Sequence, residues 1–148
     1  MENRAVALVY IVDTPEMADF CKEVLRDYCH SVSVETFSSP IEAMFAFVRA
    51  RVRPQVVATS LVNMQGLCLA SDLKEVDPSV RVLLMSGLDC KGVCEKVDSC
   101  RVAPDDVLVK PFTPEEFSSR IQSLLEWRWV ASSSKGWRCA CYGSAKAV

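Results

Sequence analysis

Four polar residues with useful chemistry stand at the ends of apolar runs in the sequence: Asp13, Ser60, Ser86 and Lys110. A carboxylate can pair with a cation, an ammonium group can hold an anion, and a hydroxyl can donate to or accept from either. One acid, one ammonium and two neutral hydroxyls form a small set for catalysis. What they can do together therefore depends on whether the fold brings them to one place.

The elements that must position these residues alternate along the chain, with short apolar runs separated by amphipathic segments. We predict five strands, in the runs AVALVYIV (5–12), VSVETF (32–37), QVVATSL (55–61), VRVLLMS (80–86) and DVLVK (106–110). The alternation with helices predicts right-handed crossovers and a doubly wound parallel α/β sheet with both faces covered. The carboxyl ends of parallel strands lie along one edge, so the four polar residues should meet there.

The predicted helices follow the strands, and each is marked by a starting signal or an apolar stripe. Thr14-Pro15 and Thr113-Pro114 place a capping residue before proline, followed by acidic residues in the first turn. Residues 88–98 form a weaker, more polar fourth helix. The predicted inner faces carry apolar residues at three-to-four spacing. They are Met17, Phe20, Cys21, Val24, Leu25 and Tyr28 in the first helix, Ala43, Met44, Phe47 and Val48 in the second, and Phe117, Ile121, Leu124 and Leu125 in the fifth.

The segment PDDVLVKPFTPEEF (104–117), with IVDTPEM, PQVVATSL and VRVLLMSG, resembles the receiver domain of two-component response regulators. The resemblance covers residues 5–126 and implies the flavodoxin-like (βα)5 fold with strand order 2-1-3-4-5. It also implies a chemistry in which a strand-three Asp accepts a phosphoryl group. Mg²⁺ is held by that Asp and two strand-one acids, while a strand-four hydroxyl and a strand-five Lys hold the phosphoryl oxygens. The family commonly holds the Lys-Pro bond after strand five in cis.

Against that family pattern, Ser86 and Lys110 match the hydroxyl and the lysine, whereas Ser60 stands at the degenerate phosphoacceptor position. Asp13 is the one acid where the family has two, and Val107 occupies the aromatic switch position. A serine hydroxyl is not ionised at neutral pH, and one carboxylate is a weak Mg²⁺ candidate. We therefore interpret the chain as a pseudo-receiver without a cofactor, in which Lys110 pairs with Asp13.

The interpretation predicts a non-enzymatic regulatory and protein-interaction module of two-component phosphorelay signal transduction. The expected partner is a histidine kinase, another response regulator or an output domain. A homodimer would use the helix 4–strand 5–helix 5 face, including Val107, Phe112 and the helix over 114–126. Two alternatives stay open, namely an active receiver with atypical phosphoacceptor chemistry and a small flavodoxin-like ligand binder or enzyme. No glycine-rich phosphate loop follows a predicted strand, which disfavours nucleotide or flavin binding.

Composition sets the class of protein: 148 residues, 50% hydrophobic and 24% charged, suit one compact domain. No apolar run approaches the length of a transmembrane helix, and the N-terminus does not resemble a signal peptide, so a cytoplasmic, reduced protein is expected. Most of the eight cysteines should then be core thiols, among them Cys21 and Cys68 on inward helix faces. The remaining cysteine spacings do not favour a metal site. These are Cys90, Cys94 and Cys100, and the pair Cys139 and Cys141.

Charge divides the chain near residue 127. Residues 1–126 contain 13 basic and 19 acidic residues, a net charge of −6, whereas residues 127–148 contain four basic residues and no acid. All three tryptophans also lie in the second part. We predict a receiver-like domain over 1–126 and a flexible basic tail over 127–148. The tail has too few charges to indicate nucleic-acid or membrane binding strongly.

Overall fold

The computed structural model describes residues 6–60, 65–88, 92, 104–126, 136–139 and 144–147. Strands and helices alternate along the described chain, as the sequence predicts. The predicted fourth helix over 88–98 lies almost wholly outside the described residues, and the predicted fifth helix is therefore α4 here. The elements are β1 (Ala7–Val12), α1 (Pro15–Tyr28), β2 (Val32–Phe37), α2 (Pro40–Arg49), β3 (Val56–Ser60), α3 (Gln65–Val76), β4 (Arg81–Ser86), β5 (Asp106–Val109), α4 (Pro114–Glu126), β6 (Gly136–Cys139) and β7 (Ser144–Ala147).

The sheet confirms the predicted order 2-1-3-4-5, with β6 and β7 added at the β5 edge. The six strands β1 to β6 are parallel to one another, and β7 runs antiparallel to β6. The central strands are nearly continuous runs of buried β-branched and aliphatic residues, which is the composition expected of a sheet covered on both faces. This topology brings the carboxyl ends of β1, β3, β4 and β5 to one edge.

Helices cover the two faces of the sheet as separate layers. On one face, the strands pack against α1 and α4 around Cys21, Leu25, Phe117 and Ile121. On the other face, they pack against α2 and α3 around Phe47 and other fully or nearly fully buried side chains. These are Tyr10, Ala43, Val57, Leu69, Leu73 and Val82. Each helix therefore packs on the sheet through a stripe of apolar side chains on one side, and its other side is open to solvent or to a partner.

The start of α1 shows how local sequence positions the site. Thr14 is the N-cap, and its hydroxyl accepts a hydrogen bond from the Met17 amide at 3.3 Å. Pro15 occupies the first turn, where no amide is needed. Thr113 caps α4 in the same way through the Glu116 amide at 3.1 Å. Both predicted caps are confirmed, and the first fixes the backbone immediately after Asp13.

Three predicted inner-face residues are exposed instead: Phe20 and Tyr28 on α1, and Val48 on α2. The predictions for these three side chains are wrong because each buried stripe is narrower than the apolar pattern. On α1 the buried stripe is centred between Cys21 and Leu25, so that Ala18 is buried in place of Phe20. The hydroxyl of Tyr28 reaches Glu115 on α4 at 3.0 Å. The side chain of Cys68 lies outside the described part of the chain.

The two strands β6 and β7 were not predicted, because the sequence beyond residue 126 shows no sustained apolar period. In the structure β6 lies beside β5, with Asp106 opposite Arg138 and Val107 opposite Cys139. An uncovered β5 would present a row of unpaired backbone groups, and β6 pairs with that edge. The other residues of the predicted tail lie outside the described chain. Among the described helices, none is long and apolar enough to cross a membrane.

Candidate functional site

Strand register places the four polar residues at the same edge of the sheet. Val12 lies opposite Thr59, and Ser60 lies opposite Met85. Ser86 lies opposite Val109. Asp13 and Lys110 each follow one residue beyond their strands, so the predicted set converges at the carboxyl edge between β1 and β5.

Asp13 is the centre of this edge, and its side chain is only 3% exposed. Its Oδ2 accepts a hydrogen bond from the Lys110 ammonium at 2.9 Å. Its Oδ1 accepts one from the Thr14 amide at 2.7 Å, which couples the carboxylate to the start of α1. The structure therefore contains the ion pair that the sequence predicts, and both carboxylate oxygens have protein donors.

Lys110 is held from the backbone as well as from its side chain. Its amide donates to the Ser86 carbonyl at 2.6 Å, and the Lys110–Pro111 peptide bond is cis. The lysine side chain is 25% exposed, so one side of the ammonium group faces the Asp13 carboxylate and another can reach solvent. Lys110 thus bridges the ends of β4 and β1 across the sheet edge.

Ser86 and Ser60 differ in what holds them. The buried Ser86 hydroxyl accepts a hydrogen bond from the Leu88 amide at 2.9 Å, which ties the loop after β4. Ser60 ends β3 and is half-buried, and the residues that follow it, 61–64, lie outside the described chain. His30, the chain's only histidine, is exposed at the opposite end of the sheet, where Ser31 contacts the start of β1. It is too far away to act as a base for Ser60.

Several solved structures with a similar fold are described as response regulators. The chain matches the BeF3-activated receiver domain of DrrB with a TM-score of 0.68 and 23% identity over 83% of this chain and all of that one. It matches HP1043, an orphan response regulator of H. pylori, with a TM-score of 0.70 and 18% identity over 83% of this chain and 99% of that one. The fold is that of a response-regulator receiver domain.

Curated relatives of this receiver fold are transcriptional regulators. The probable transcriptional regulatory protein TcrX of Mycobacterium tuberculosis is 26% identical over 135 residues, which are 91% of this chain and 56% of TcrX. The probable transcriptional regulator ycf27 of Pyropia yezoensis is 27% identical over 84% of this chain and 49% of that protein. The chain thus spans about half the length of these relatives. No protein-family model matches it.

Mg²⁺, which the receiver fold implies, does not fit the site residues that the structure describes. Hard divalent cations bind clustered carboxylate oxygens. Among the described residues Asp13 is the single carboxylate at this edge, and the Lys110 ammonium lies 2.9 Å from it. Among the described residues, no group of three or more histidine, cysteine, aspartate or glutamate side chains could hold a metal.

Val107, at the predicted switch position, is fully buried. The predicted partner-binding face included Val107, but a fully buried side chain cannot contact a partner directly. Its strand is flanked by β4 on one side and β6 on the other. Val107 therefore contributes to the core. Phe112 is partly buried against the side of the core formed with α1 and α4, and its ring stacks on Phe117 with the ring centroids 5.6 Å apart.

Cys21 is a buried neighbour of the Asp13–Lys110 ion pair, and the sequence motifs did not predict this proximity. Burial raises the pKa of its thiol to about 12; the negative charge of Asp13 adds to this effect, and Lys110 partly offsets it. The thiol therefore stays protonated at neutral pH and packs as an apolar group. Its position eight residues beyond Asp13, on the inward stripe of α1, is the signal that could have located it beneath the site.

Proposed function

We propose that this chain is a receiver-type signalling domain that works as a regulatory protein-interaction module without aspartyl phosphorylation. The observation that carries the proposal is the closed ion pair between Asp13 and Lys110. In a phosphorylating receiver the lysine must bind phosphoryl oxygens and the acid must bind a cation. Here each satisfies the other, and Ser60 stands where the acceptor carboxylate would be.

The chemistry of the edge supports this proposal over the two alternatives, an active receiver and a ligand binder or enzyme. A serine is a poor phosphoryl acceptor unless an adjacent base activates it. His30 lies at the far end of the sheet. A ligand site needs several converging polar groups, whereas Ser86 and Asp13 are already engaged by backbone amides.

We propose a cytoplasmic signalling partner for the domain: a histidine kinase, another response regulator or an output domain. The similarity to TcrX and the ycf27 proteins supports a regulatory role, since those relatives are described as transcriptional regulators. The proposed surface, which would also serve a homodimer, is the exposed side of α4 together with Phe112. With Val107 buried, β5 contributes no side chain at that position.

Beryllofluoride with Mg²⁺ tests the absence of the phosphorylation switch. We expect the melting temperature to change by less than about 1 °C, because a ligand stabilises only the state that binds it. Differential scanning fluorimetry measures the shift, with Mg²⁺ alone and fluoride alone as controls. A saturable, Mg²⁺-dependent rise of several degrees, or Mg²⁺-dependent labelling by a small phosphoryl donor, would refute the proposal.

The Ser60→Asp substitution tests whether the lack of a carboxylate at position 60 is the only reason for the weak Mg²⁺ binding that we expect. We expect only weak Mg²⁺ affinity, because Asp13 remains the single strand-one acid and Lys110 competes with the cation for it. Ser60→Asn is the matched control, since it has nearly the same shape without the charge. Isothermal titration with Mg²⁺ compares the two variants. Tight Mg²⁺ binding by the Asp variant would show that Asp13 and the new carboxylate at position 60 are sufficient, and would contradict this prediction.

A further inference from the structure

Helix α2 presents an apolar stripe to its outside, away from the sheet. Ile41, Phe45 and Val48 are 68%, 58% and 50% exposed, and Val52, just beyond the helix, is 71% exposed. At 100° per residue, the three helical positions lie within an arc of about 60°. Phe47, on the opposite side of α2, is fully buried. The helix is thus apolar on both sides, although its contact with the core requires only one.

Arginines lie at the C-terminal end of this stripe. Arg49, Arg51 and Arg53 are all exposed, and Glu42 is the one acid between residues 40 and 53. The guanidinium of Arg49 lies 5.4 Å from the ring centroid of Phe45, so a cation sits directly beside the apolar surface. The segment carries a net charge of +2, whereas residues 1–126 as a whole carry −6. We define the α2 patch as Ile41, Phe45, Val48, Arg49 and Arg51. Its charge is positive, whereas the net charge of the domain is negative.

Arg53 interacts with Asp77 and with the ring of Phe47 in the same domain, so we leave it out of the α2 patch. Hydrogen bonds from Ser79, with a smaller contribution from the charge of Arg53, lower the pKa of Asp77. Arg53 also lies over the ring of Phe47, 5.3 Å from the centroid. Arg49 and Arg51 are thus the arginines that a partner's carboxylates would meet.

We propose that the α2 patch binds an acidic amphipathic helix of a partner protein. The apolar stripe matches the i, i+4, i+7 anchors of helix recognition, and the arginines at one end require carboxylates at the matching end of the partner. A second copy of this chain would bring two segments of like charge together. A bilayer is a poorer match, because the arginines lie at one end of the stripe and do not flank it. The patch lies on the α2–α3 side of the sheet, away from α4, and goes beyond the surface proposed above.

The test uses the full chain, labelled with ¹⁵N, and two synthetic amphipathic peptides of about 16 residues, or about 24 Å as helices. Both peptides carry the same apolar residues; one has glutamates on its polar side and the other has lysines. We expect the acidic peptide to shift amide signals of α2, with at least tenfold higher affinity than the basic peptide. Absence of binding, or equal binding of both peptides, overturns the proposal.

Two variants separate the contributions of the α2 patch. Phe45→Ala/Val48→Ala and Arg49→Glu/Arg51→Glu should each weaken binding of the acidic peptide at least tenfold, and the charge reversal should improve binding of the basic peptide. Lys22→Glu/Arg26→Glu, with the same change of charge on exposed positions of α1, should leave binding unchanged. If the control loses binding equally, the effect is long-range charge and the proposal fails. Preferential binding to phosphatidylglycerol vesicles, or self-association that maps to α2, would likewise overturn it.

Discussion

Substituting Lys110 by Met should destabilise the domain by about 3 kcal/mol, because it leaves the buried Asp13 carboxylate without its cation. Asp13 is 3% exposed and would keep only the Thr14 amide as a hydrogen-bond donor. Methionine preserves most of the lysine's length and its apolar stem, so lost packing contributes little. Urea unfolding followed by circular dichroism gives the free energy of unfolding.

The two partners of this ion pair should respond unequally. Asp13→Asn keeps the Thr14 hydrogen bond and leaves Lys110, which is 25% exposed, able to turn toward water. We expect it to cost about 1 to 2 kcal/mol, less than Lys110→Met. The double variant should cost less than the sum of the two single variants. Additive losses would mean that the ion pair contributes no coupling energy, and the interpretation of a closed pair would then be wrong.

Substituting Phe47 by Ala should destabilise the domain by about 3 to 5 kcal/mol, because it empties a fully buried position between α2 and the sheet. Phe47 packs in the layer that also contains Tyr10, Leu69 and Leu73. The lost burial and the cavity left behind both contribute to the cost. Thermal and urea unfolding should agree on the loss if the variant still unfolds in a two-state transition.

Phe45→Ala is the matched control for Phe47, since it makes the same change two residues earlier on the same helix. Phe45 is 58% exposed, so its removal should alter the free energy of unfolding by about 0.5 kcal/mol or less. The contrast separates residues that α2 needs for folding from residues that it presents to a partner. Comparable losses for the two variants would show that the outer stripe of α2 is part of the core and would remove the basis for the α2 patch.

Local patterns were enough to predict β1 to β5, because a buried parallel strand needs a largely apolar run whatever surrounds it. They were also enough for the caps at Thr14 and Thr113, which depend on hydrogen bonds to residues three positions away. The rule that the carboxyl ends of parallel strands share an edge placed Asp13 and Lys110 together, and the departures from the receiver pattern favoured their pairing. The strand order itself was implied by the resemblance to receivers rather than by any pattern in the residues.

The sequence did not predict which apolar side chains are exposed and which are buried, because this depends on contacts between elements that are far apart in the chain. The apolar spacing of α1 and α2 admits Phe20 and Val48 to the inner stripe, but the width of the contact depends on how closely the sheet and neighbouring helices approach. Val107 is fully buried, and β5 is flanked by strands on both sides, including β6 from a segment without a recognisable period. No local pattern indicates which strand will pair with a distant edge.

The sequence by itself determined the alternating elements, the residues at the strand ends and the presence of a serine at position 60, where the resemblance to receivers leads us to expect an aspartate. Only the tertiary structure decided that both oxygens of Asp13 are occupied, that Cys21 lies beneath them as a protonated core thiol, and that α2 is apolar on its outer side. The physical reason is the range of the interactions. Periodicity and capping act within a few residues, whereas burial, ion pairing across strands and the desolvation that raises a pKa depend on groups that only folding brings together.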